Sequence, residues 1–146
     1  MAFKVAVASG KGGTGKTTVS LNLFHYFAGE AMLVDCDAEE PNDALFFPDK
    51  ELVRSIPVNR SLPVINTDLC TFCKRCSEWC EFNAILVIPP ASFIDVNPSL
   101  CHSCGACRAA CPEFAISEQD DQIGVINVFT TAEGYTFSEG RMKVGS

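Results

Sequence analysis

The N-terminal part of the chain alternates short apolar runs with glycine-rich and polar stretches, a pattern typical of alternating strands and helices. The continuous apolar run at residues 4–9 predicts a strand that is buried on both faces. A helix is predicted over residues 17–28 and a second strand over residues 31–34, which ends at Asp35. The apolar face predicted for the helix consists of Val19, Leu23 and Phe27. The pattern therefore predicts an α/β fold built on a parallel sheet.

The rest of the chain is different in character. The polar stretch at residues 48–60 is interpreted as a connection, and the tail predicts strands at residues 124–130 and 135–138. Between them lies a cysteine-rich segment that repeats itself. Each cysteine from Cys70 to Cys80 is matched by another 31 residues later, from Cys101 to Cys111. Such self-similarity predicts a duplicated structural unit.

Composition and charge narrow the class of protein. The 146 residues are 47% hydrophobic and 20% charged, which excludes a disordered or fibrous chain. A formal net charge of −7 gives no attraction to a phosphate backbone, so nucleic acid is not an expected partner. The longest apolar run, residues 84–88, is far shorter than the ~20 residues that a membrane helix needs. Since the N-terminus also lacks the features of a secretory signal, we expect a soluble cytoplasmic protein without a membrane span.

A phosphate-binding loop follows the first predicted strand. Residues 10–17, GKGGTGKT, match the pattern G-x-x-x-x-G-K-[ST] at every position. Glycines let successive backbone N–H groups approach phosphate oxygens, the Lys16 ammonium would contact the β and γ phosphates, and the Thr17 hydroxyl would bind Mg²⁺. The following helix adds the positive end of its dipole. The residues predicted to bind a nucleotide are Gly10, Lys11, Gly12, Gly13, Thr14, Gly15, Lys16, Thr17 and Thr18.

The same glycines also match a second nucleotide-binding pattern. Gly10, Gly12 and Gly15 fit G-x-G-x-x-G, and Asp35 lies about twenty residues further on, where a dinucleotide-binding fold has its ribose-binding acid. A dinucleotide turn has no use for Lys16 and Thr17, whereas a magnesium–nucleotide complex needs both of them. The sequence therefore favours ATP with Mg²⁺ as the ligand.

Nine cysteines in a chain of this length are the second chemical signal. Eight of them form two runs of the form C-x2-C-x2-C-x3-C, the spacing of the bacterial ferredoxin motif. Three cysteines of such a run reach one 4Fe–4S cluster, and the fourth reaches the other cluster because it lies on a turn that leads away. The pattern predicts one cluster on Cys70, Cys73, Cys76 and Cys111 and a second cluster on Cys80, Cys101, Cys104 and Cys107. The ninth, Cys36, is expected to be a small buried residue at a strand end.

Two other uses of these cysteines fit the sequence less well. Zinc sites use four cysteines in two C-x2-C pairs, whereas each run here adds a third and a fourth cysteine at fixed spacing. A disulfide framework would need an oxidising compartment, which the absent signal sequence argues against. The first run has Lys74 where a small residue often stands and Glu81 in place of a proline, so the surroundings of the first cluster are expected to differ.

The phosphate loop resembles that of one particular class of ATPases. The extra lysine Lys11, in GKGGTGKTT, and the acids Asp35 and Asp37 after the second strand are similar to the deviant-Walker ATPases of the MinD and ParA type. The resemblance implies that Lys11 contacts the nucleotide of the partner in a homodimer, that Asp37 positions the attacking water and that Asp35 lies near the Mg²⁺. On this resemblance the predicted catalytic residues are Lys11, Lys16 and Asp37.

The chain as a whole resembles the subgroup of MinD-type ATPases in which a two-cluster ferredoxin unit interrupts the nucleotide-binding domain. The resemblance implies part of a nucleotide-binding domain at residues 1–59, an α+β ferredoxin-like unit at residues 60–117 and a return into the nucleotide-binding domain at residues 118–146. No apolar strand after Asp37 ends in the aspartate of a Walker B motif, so hydrolysis by this chain alone is not assigned. We therefore expect an N-terminal fragment or one half of a split protein, with another chain supplying the missing half.

The function expected from these features is ATP binding coupled to electron transfer through two 4Fe–4S clusters, with a redox partner that the sequence does not identify. Two alternatives use the same thiolates and stay open at this stage. One is a passive ferredoxin-type electron carrier whose nucleotide-binding part is vestigial. The other is a carrier or scaffold that delivers iron–sulfur clusters.

Overall fold

The structure is a computed structural model, and it describes residues 3–11, 13–27 and 30–143. The helices in these ranges are α1 (Lys16–Tyr26), α2 (Arg75–Glu78) and α3 (Ala106–Ala110). The strands are β1 (Leu33–Asp35), β2 (Glu51–Ile65), β3 (Ile85–Ile88), β4 (Phe93–Val96), β5 (Ile116–Thr130) and β6 (Thr136–Met142). Short 3-10 turns cover Asp43–Phe46, Pro89–Ala91 and Pro98–Leu100. Among the described residues, no helix has the length and apolar character needed to cross a bilayer.

The strands form two separate sheets. A four-stranded sheet has the order β1-β6-β5-β2, and a two-stranded sheet pairs β3 with β4 in antiparallel fashion. In the larger sheet β1 runs parallel to β6, whereas β5 and β6 are antiparallel. The described chain divides into two compact units, the first made of residues up to 58 and from 124 onward, the second of residues 59–123.

The larger sheet is mixed, which corrects the prediction of a parallel sheet. The turn between β5 and β6 is closed by a hydrogen bond of 2.9 Å from the Thr131 N–H to the Tyr135 carbonyl, and Gly134 has a φ of 83°. A turn this short reverses the chain, because a parallel connection needs a dozen or more residues. One parallel pair, β1 with β6, and the helix α1 keep the unit in the α/β class.

The predicted first strand at residues 4–9 is not formed. This segment has no regular secondary structure, and the side chains of Phe3 and Val5 are 92% and 64% exposed. A strand needs a hydrogen-bonded neighbour for its backbone groups. None of the described strands pairs with this segment, so its apolar side chains stay uncovered by the described residues.

The interpretation of residues 48–60 as a connection is also wrong, because the strand β2 covers most of that stretch. Its two prolines are compatible with a strand since β2 lies at the edge of the sheet, where a missing N–H donor is tolerated. Polar side chains link β2 to β5. For example, Arg60 Nε donates a hydrogen bond to Asp121 Oδ2 at 2.9 Å. About half of the side chains of β2 are exposed, but its second half places Ile56, Val58, Leu62 and Val64 at alternating positions, a strand signal that the sequence analysis did not use.

Each unit has its own apolar core. In the first unit Phe137 is completely buried, and its ring stacks on Phe47 at 4.7 Å and on Phe129 at 5.0 Å between centroids. The buried residues of this core are Leu21, Phe24, Leu33, Ala44, Phe47, Phe129 and Phe137. The core of the second unit consists of Cys76, Ile85, Val87 and Ile116. Phe137 therefore anchors the packing of α1 and the 3-10 turn onto the sheet.

The buried face of α1 is not the predicted one. Leu21 and Phe24 are its buried residues, whereas Val19, Leu23 and Phe27 are 50%, 39% and 47% exposed. The helix is apolar on two sides, and periodicity by itself does not choose between them. The described residues cover one of these sides and leave the predicted one open.

Replacing Phe137 with alanine should destabilise the first unit strongly. The ring is fully buried between Phe47 and Phe129, so its removal leaves a cavity, and we expect a loss of about 3–5 kcal/mol in the free energy of unfolding. Urea unfolding followed by circular dichroism measures this loss. The control is Phe3→Ala, since that ring is 92% exposed, and it should change stability by less than about 0.5 kcal/mol. Equal effects of the two substitutions would contradict the described core.

Candidate functional site: a phosphate loop and two cysteine-lined cavities

The phosphate loop has a backbone that depends on its glycines. Gly13 and Gly15 have φ values of 73° and 85°, a left-handed conformation that costs energy for any residue with a Cβ. No heavy atom lies within 4 Å of the position that a Cβ would take at Gly10, Gly13 or Gly15. The loop therefore stands open where a phosphate would approach. Gly12, another predicted ligand, lies outside the described residues.

The N-terminus of α1 leaves room for an anion. The helix begins at Lys16, its N-cap Gly15 has no side chain to accept a hydrogen bond, and its first turn contains no acidic residue. The free N–H groups and the positive end of the helix dipole therefore meet no negative charge from the helix itself. Lys16 and Thr17 are half-buried there, whereas Lys11 and Thr18 are exposed. This arrangement suits the binding of a phosphate.

The carboxylate of Asp35 organises the loop that follows β1. This side chain is buried, and its Oδ1 accepts the backbone N–H of Asp37 at 2.9 Å. Its Oδ2 accepts the backbone N–H groups of Asn42 and Asp43 at 3.0 and 3.1 Å. Three charge-assisted hydrogen bonds thus hold the loop backbone in place. The side chain of Asp37, which the loop carries, is exposed.

Asp43 is a residue of this site that the sequence analysis missed. Its carboxyl group is buried, and burial together with the nearby charge of Asp35 raises its pKa from 3.8 to about 6, although an interaction with the Thr17 hydroxyl opposes the shift. Thr17, the predicted Mg²⁺ ligand, therefore lies beside a pair of aspartates. Several acids stand in the same loop, so the sequence carried no signal that distinguishes this one.

A row of polar side chains crosses the four-stranded sheet beside the loop. The strand register places Asp35 next to Glu139, and Glu139 next to Asn127. Glu139 is only 2% exposed, and its Oε1 accepts hydrogen bonds from Asn127 Nδ2 at 3.3 Å and Arg141 Nε at 3.4 Å. Its Oε2 is buried without a hydrogen-bond partner among the described residues. The Ser55 hydroxyl extends the row to β2 by donating to Asn127 Oδ1 at 2.9 Å.

The cysteines of the second unit surround two cavities. The first cavity is lined by Cys70, Cys73, Cys76 and Cys111. The second cavity is lined by Cys80, Cys101, Cys104 and Cys107. Each cavity takes three cysteines from one run and the last cysteine of the other run.

The four cysteine sulfurs of each cavity suit a cluster of several metal atoms better than a single ion. Among the described residues, no three His, Cys, Asp or Glu side chains meet closely enough to hold one ion. In each cavity, however, four thiols face a common space. Four thiolates around such a space are the ligand set of a 4Fe–4S cluster. The residues present therefore fit that group.

The backbone repeats as closely as the cysteines do. Six left-handed residues in and after the two cysteine runs form three pairs that lie 31 positions apart: Phe72 and Ser103, Lys74 and Gly105, Asn83 and Phe114. The φ values within each pair agree, being 53° and 54°, 68° and 73°, and 52° and 51°. Five of these six residues are not glycine, and a left-handed non-glycine residue persists only where its surroundings demand it.

These turns direct backbone donors at sulfur. The N–H groups of Phe72, Ala84, Ser103 and Ala115 donate to the Sγ atoms of Cys70, Cys80, Cys101 and Cys111 at 3.4, 3.3, 3.5 and 3.4 Å, respectively. Such N–H donors are the backbone hydrogen bonds that fix the orientation of a cysteine sulfur and would tune a cluster bound there. Each cavity receives two of these hydrogen bonds.

Burial changes the pKa of two other cysteines. It raises the pKa of the Cys76 thiol to about 11 and also raises the pKa of Cys107, although backbone hydrogen bonds oppose both shifts. Without a bound metal these thiols keep their protons at neutral pH. A metal bound by these two cysteines would therefore displace their protons.

Two residues beside the predicted ligands have distinct surroundings. Cys36 is exposed, which corrects the expectation that it is buried. The side chain of Asp35 points into the unit, so the next residue points outward at the end of β1. His102 lines the second cavity, where its ring stacks on Phe82 at 3.8 Å between centroids.

A phosphate loop that leads into a helix, beside a strand ending in a buried aspartate, defines a P-loop nucleotide-binding protein of the α/β class. The chain belongs to the CobQ/CobB/MinD/ParA nucleotide binding domain family, whose sequence profile matches residues 5–134. This finding confirms the expected MinD/ParA-type class, and the match extends across the cysteine-rich segment.

Two curated proteins are similar to part of the chain. An uncharacterized protein of Methanocaldococcus jannaschii, MJ0578, is 37% identical over 101 residues, which are 68% of this chain and 34% of that protein. The ferredoxin-type protein NapF of Escherichia coli K12 is 44% identical over 50 residues, which are 32% of this chain and 30% of NapF. The chain thus spans about a third of the length of these two relatives.

Asp43→Asn should change how stability depends on pH. The folded pKa of about 6 lies above the unfolded value of 3.8, so the stabilising contribution of this carboxyl is complete below about pH 4 and is lost as the pH rises through 6. An amide does not ionise, so the variant should melt close to wild type near pH 4 and at a higher temperature than wild type above pH 7. Thermal unfolding without nucleotide measures this difference.

The control for that experiment is Asp49→Asn, which changes an exposed aspartate nearby. Its melting temperature should follow that of wild type across the same pH range. A difference between Asp43→Asn and wild type that stays constant with pH would contradict the buried, acid-paired environment of Asp43.

Proposed function

We propose that this protein binds ATP at its phosphate loop, holds two 4Fe–4S clusters and couples its nucleotide state to electron transfer. The observation that carries the proposal is the lining of two cavities by two crossed sets of four cysteines. Membership of the nucleotide-binding family supports the ATP site, and the likeness to a ferredoxin-type protein supports the iron–sulfur sites. When bound, such clusters supply one-electron transfer.

The residues around each cavity would do more than bind iron. Apolar side chains such as Ile65 and Val87 line the first cavity and exclude water from it. Cys73 and Cys104 are exposed, which leaves one edge of each site open to solvent. A redox partner would exchange electrons at these edges, because transfer needs close approach to a cluster.

The phosphate loop would hold the nucleotide with its magnesium ion. Lys16 would contact the β and γ phosphates, and Thr17 would bind Mg²⁺, with Asp35 near the ion. Asp35 also holds the loop backbone at Asp37, the residue that would position the attacking water. Lys11 is exposed, so in a homodimer its ammonium would be free to reach the partner's nucleotide.

A further partner would cover the open apolar surface of the first unit. Val19, Leu23 and Phe27 on α1 and Phe3 and Val5 before the phosphate loop are all at least 39% exposed. Large apolar side chains exposed in such number in one unit are unusual for a surface that faces only water. We propose that this surface binds the remaining part of the ATPase domain, and that the assembly works in the cytoplasm, where thiols stay reduced.

Paired cysteine substitutions test the assignment of the ligands. The pair Cys73→Ser and Cys111→Ser damages only the first cavity, so the anaerobically purified protein should keep about four of its roughly eight irons and sulfides. The pair Cys73→Ser and Cys80→Ser damages both cavities and should lose nearly all of them. Iron and sulfide analysis, with the visible absorbance that dithionite bleaches, measures the result.

Cys36→Ser is the matched control and should retain the full iron content, since Cys36 lines neither cavity. If the two double variants kept equal amounts of iron, the crossed arrangement would be wrong. Zinc in place of iron in the wild-type protein would contradict the electron-transfer proposal as a whole.

Lys16→Ala should weaken the binding of Mg-ATP about tenfold to a hundredfold, because it removes a charge-assisted contact worth about 1.5–3 kcal/mol. Isothermal titration calorimetry measures the dissociation constant. Lys4→Ala changes an exposed lysine outside the loop and should bind as wild type does. Lys11→Ala should leave ATP binding to one chain intact and reduce ATP-dependent dimerisation in light scattering.

The proposed coupling between nucleotide state and electron transfer is tested by measuring the reduction potentials of the clusters. The cluster potentials, titrated with and without Mg-ATP, should differ in the wild-type protein and agree in Lys16→Ala. Potentials that are indifferent to ATP would identify a passive electron carrier. Loss of iron to an apo-ferredoxin on addition of Mg-ATP would identify a cluster carrier instead.

A further inference from the structure

The two cysteine sites have the same backbone but different electrostatic surroundings. Lys74 and Gly105 occupy equivalent positions, 31 residues apart, as the left-handed N-caps of α2 and α3. The carbonyl of Lys74 accepts the Glu78 N–H at 2.9 Å, and that of Gly105 accepts the Ala109 N–H at 3.1 Å. The local structure thus needs a left-handed residue at both positions, and glycine meets this need in the second run.

A lysine at the first position is unfavourable for the backbone. Its φ of 68° is a conformation that glycine adopts freely and a lysine adopts at a cost. No hydrogen bond or ion pair of the described structure involves the Lys74 ammonium, so the side chain does not compensate for that cost through a contact of its own. Strain retained beside a candidate site points to a role of the side chain in that site.

The two cavities differ in the charged residues that line them. Two cations, Lys74 and Arg75, and one acid, Glu113, line the first cavity. Among the described residues, the second cavity is lined by no lysine or arginine, and the one acid on its lining, Glu118, is paired with Arg108 at 3.1 Å. An electron added beside a positive charge is stabilised, and one added beside a negative charge is destabilised.

We propose that Lys74 sets the order in which the two sites are reduced, by giving the site of Cys70, Cys73, Cys76 and Cys111 the higher reduction potential. This inference rests on the proposed function, since it requires a 4Fe–4S cluster in each cavity. Each site takes up one electron from a one-electron reductant, and no bond is made or broken. Lys74 favours the first electron at its own site, and the exposed thiol Cys73 marks the edge from which a partner would collect it.

Substitutions at the two equivalent positions test this proposal in the reconstituted full chain. Lys74→Gln keeps a left-handed non-glycine residue and removes the charge. It should lower the higher of the two midpoint potentials by the equivalent of a threefold to tenfold loss in electron affinity, up to about 59 mV. Lys74→Arg keeps the charge and should leave the two potentials as in wild type. Redox titration followed by electron paramagnetic resonance measures both potentials at one pH and ionic strength.

Variants with a single site identify which cluster responds. In a chain that carries Cys80→Ser and Cys104→Ser, which leaves only the first cavity intact, Lys74→Gln should still lower the potential. In a chain that carries Cys73→Ser and Cys111→Ser, which leaves only the second cavity intact, Lys74→Gln should have no effect. Gly105→Lys places a cation beside that second site and should raise its potential, at some loss of stability because of the φ of 73°.

Backbone strain is separated from charge by Lys74→Gly. This variant should unfold at a higher denaturant concentration than wild type and share the potentials of Lys74→Gln. If wild type holds eight irons and Lys74→Gln leaves both potentials unchanged, the inference about Lys74 is wrong and the proposed function stands. If wild type fails to hold iron in both sites, the proposed function and this inference fail together.

Discussion

The exchange of one cysteine between the two runs constrains the whole second unit. Cys111 completes the cavity of the first run, and Cys80 completes the cavity of the second. Neither half of the repeat surrounds a cavity with four cysteines of its own, so both halves must meet before either site exists. Cys76 belongs to the core together with Ile85, Val87 and Ile116, so a candidate ligand is also a packing residue. If a cluster binds at each cavity as proposed, its binding would therefore be coupled to the folding of this unit.

The same constraint explains the unusual backbone of the runs. Turns that bring three cysteines to one cavity need left-handed residues, and the repeat places them at matching positions in both runs. Those turns also supply the N–H groups that donate to sulfur. Because the backbone of the two sites is the same, any difference in electrostatic potential between them comes from the few side chains that differ. The largest of these differences is at the N-caps of α2 and α3, where the first site has the charged Lys74 and the second has Gly105.

In the first unit, buried acids hold the loop beside the phosphate-binding motif. Asp35 anchors the loop by three backbone hydrogen bonds, and the Met142 N–H on β6 donates to the Ala38 carbonyl at 2.9 Å. β6 thus supports a loop that lies about a hundred residues earlier in the sequence. Glu139 lies deep in the same sheet with one oxygen unpartnered among the described residues. The last strand is therefore part of the nucleotide site's framework.

Local features of this protein could be predicted from the sequence, because spacing and residue type determine them directly. The helix after the phosphate loop, the strand that ends at Asp35 and the hairpin strands of the tail all form near their predicted positions. The MinD/ParA-type class was also predictable, since a loop of nine residues carries its chemistry. The roles of the cysteines, Lys11 and Asp37 stay predictions.

Only the tertiary structure decided which surfaces are buried and which strands pair. It selected Leu21 and Phe24 as the buried side of α1, made a strand of residues 51–65 and left residues 3–9 unpaired. It also brought Asp43 beside Thr17 and enclosed Glu139. Each of these outcomes depends on partners that are distant in sequence, and no local pattern contains the position of such a partner. Burial and pairing are properties of the assembled sheet, whereas motif chemistry is a property of a few neighbouring residues.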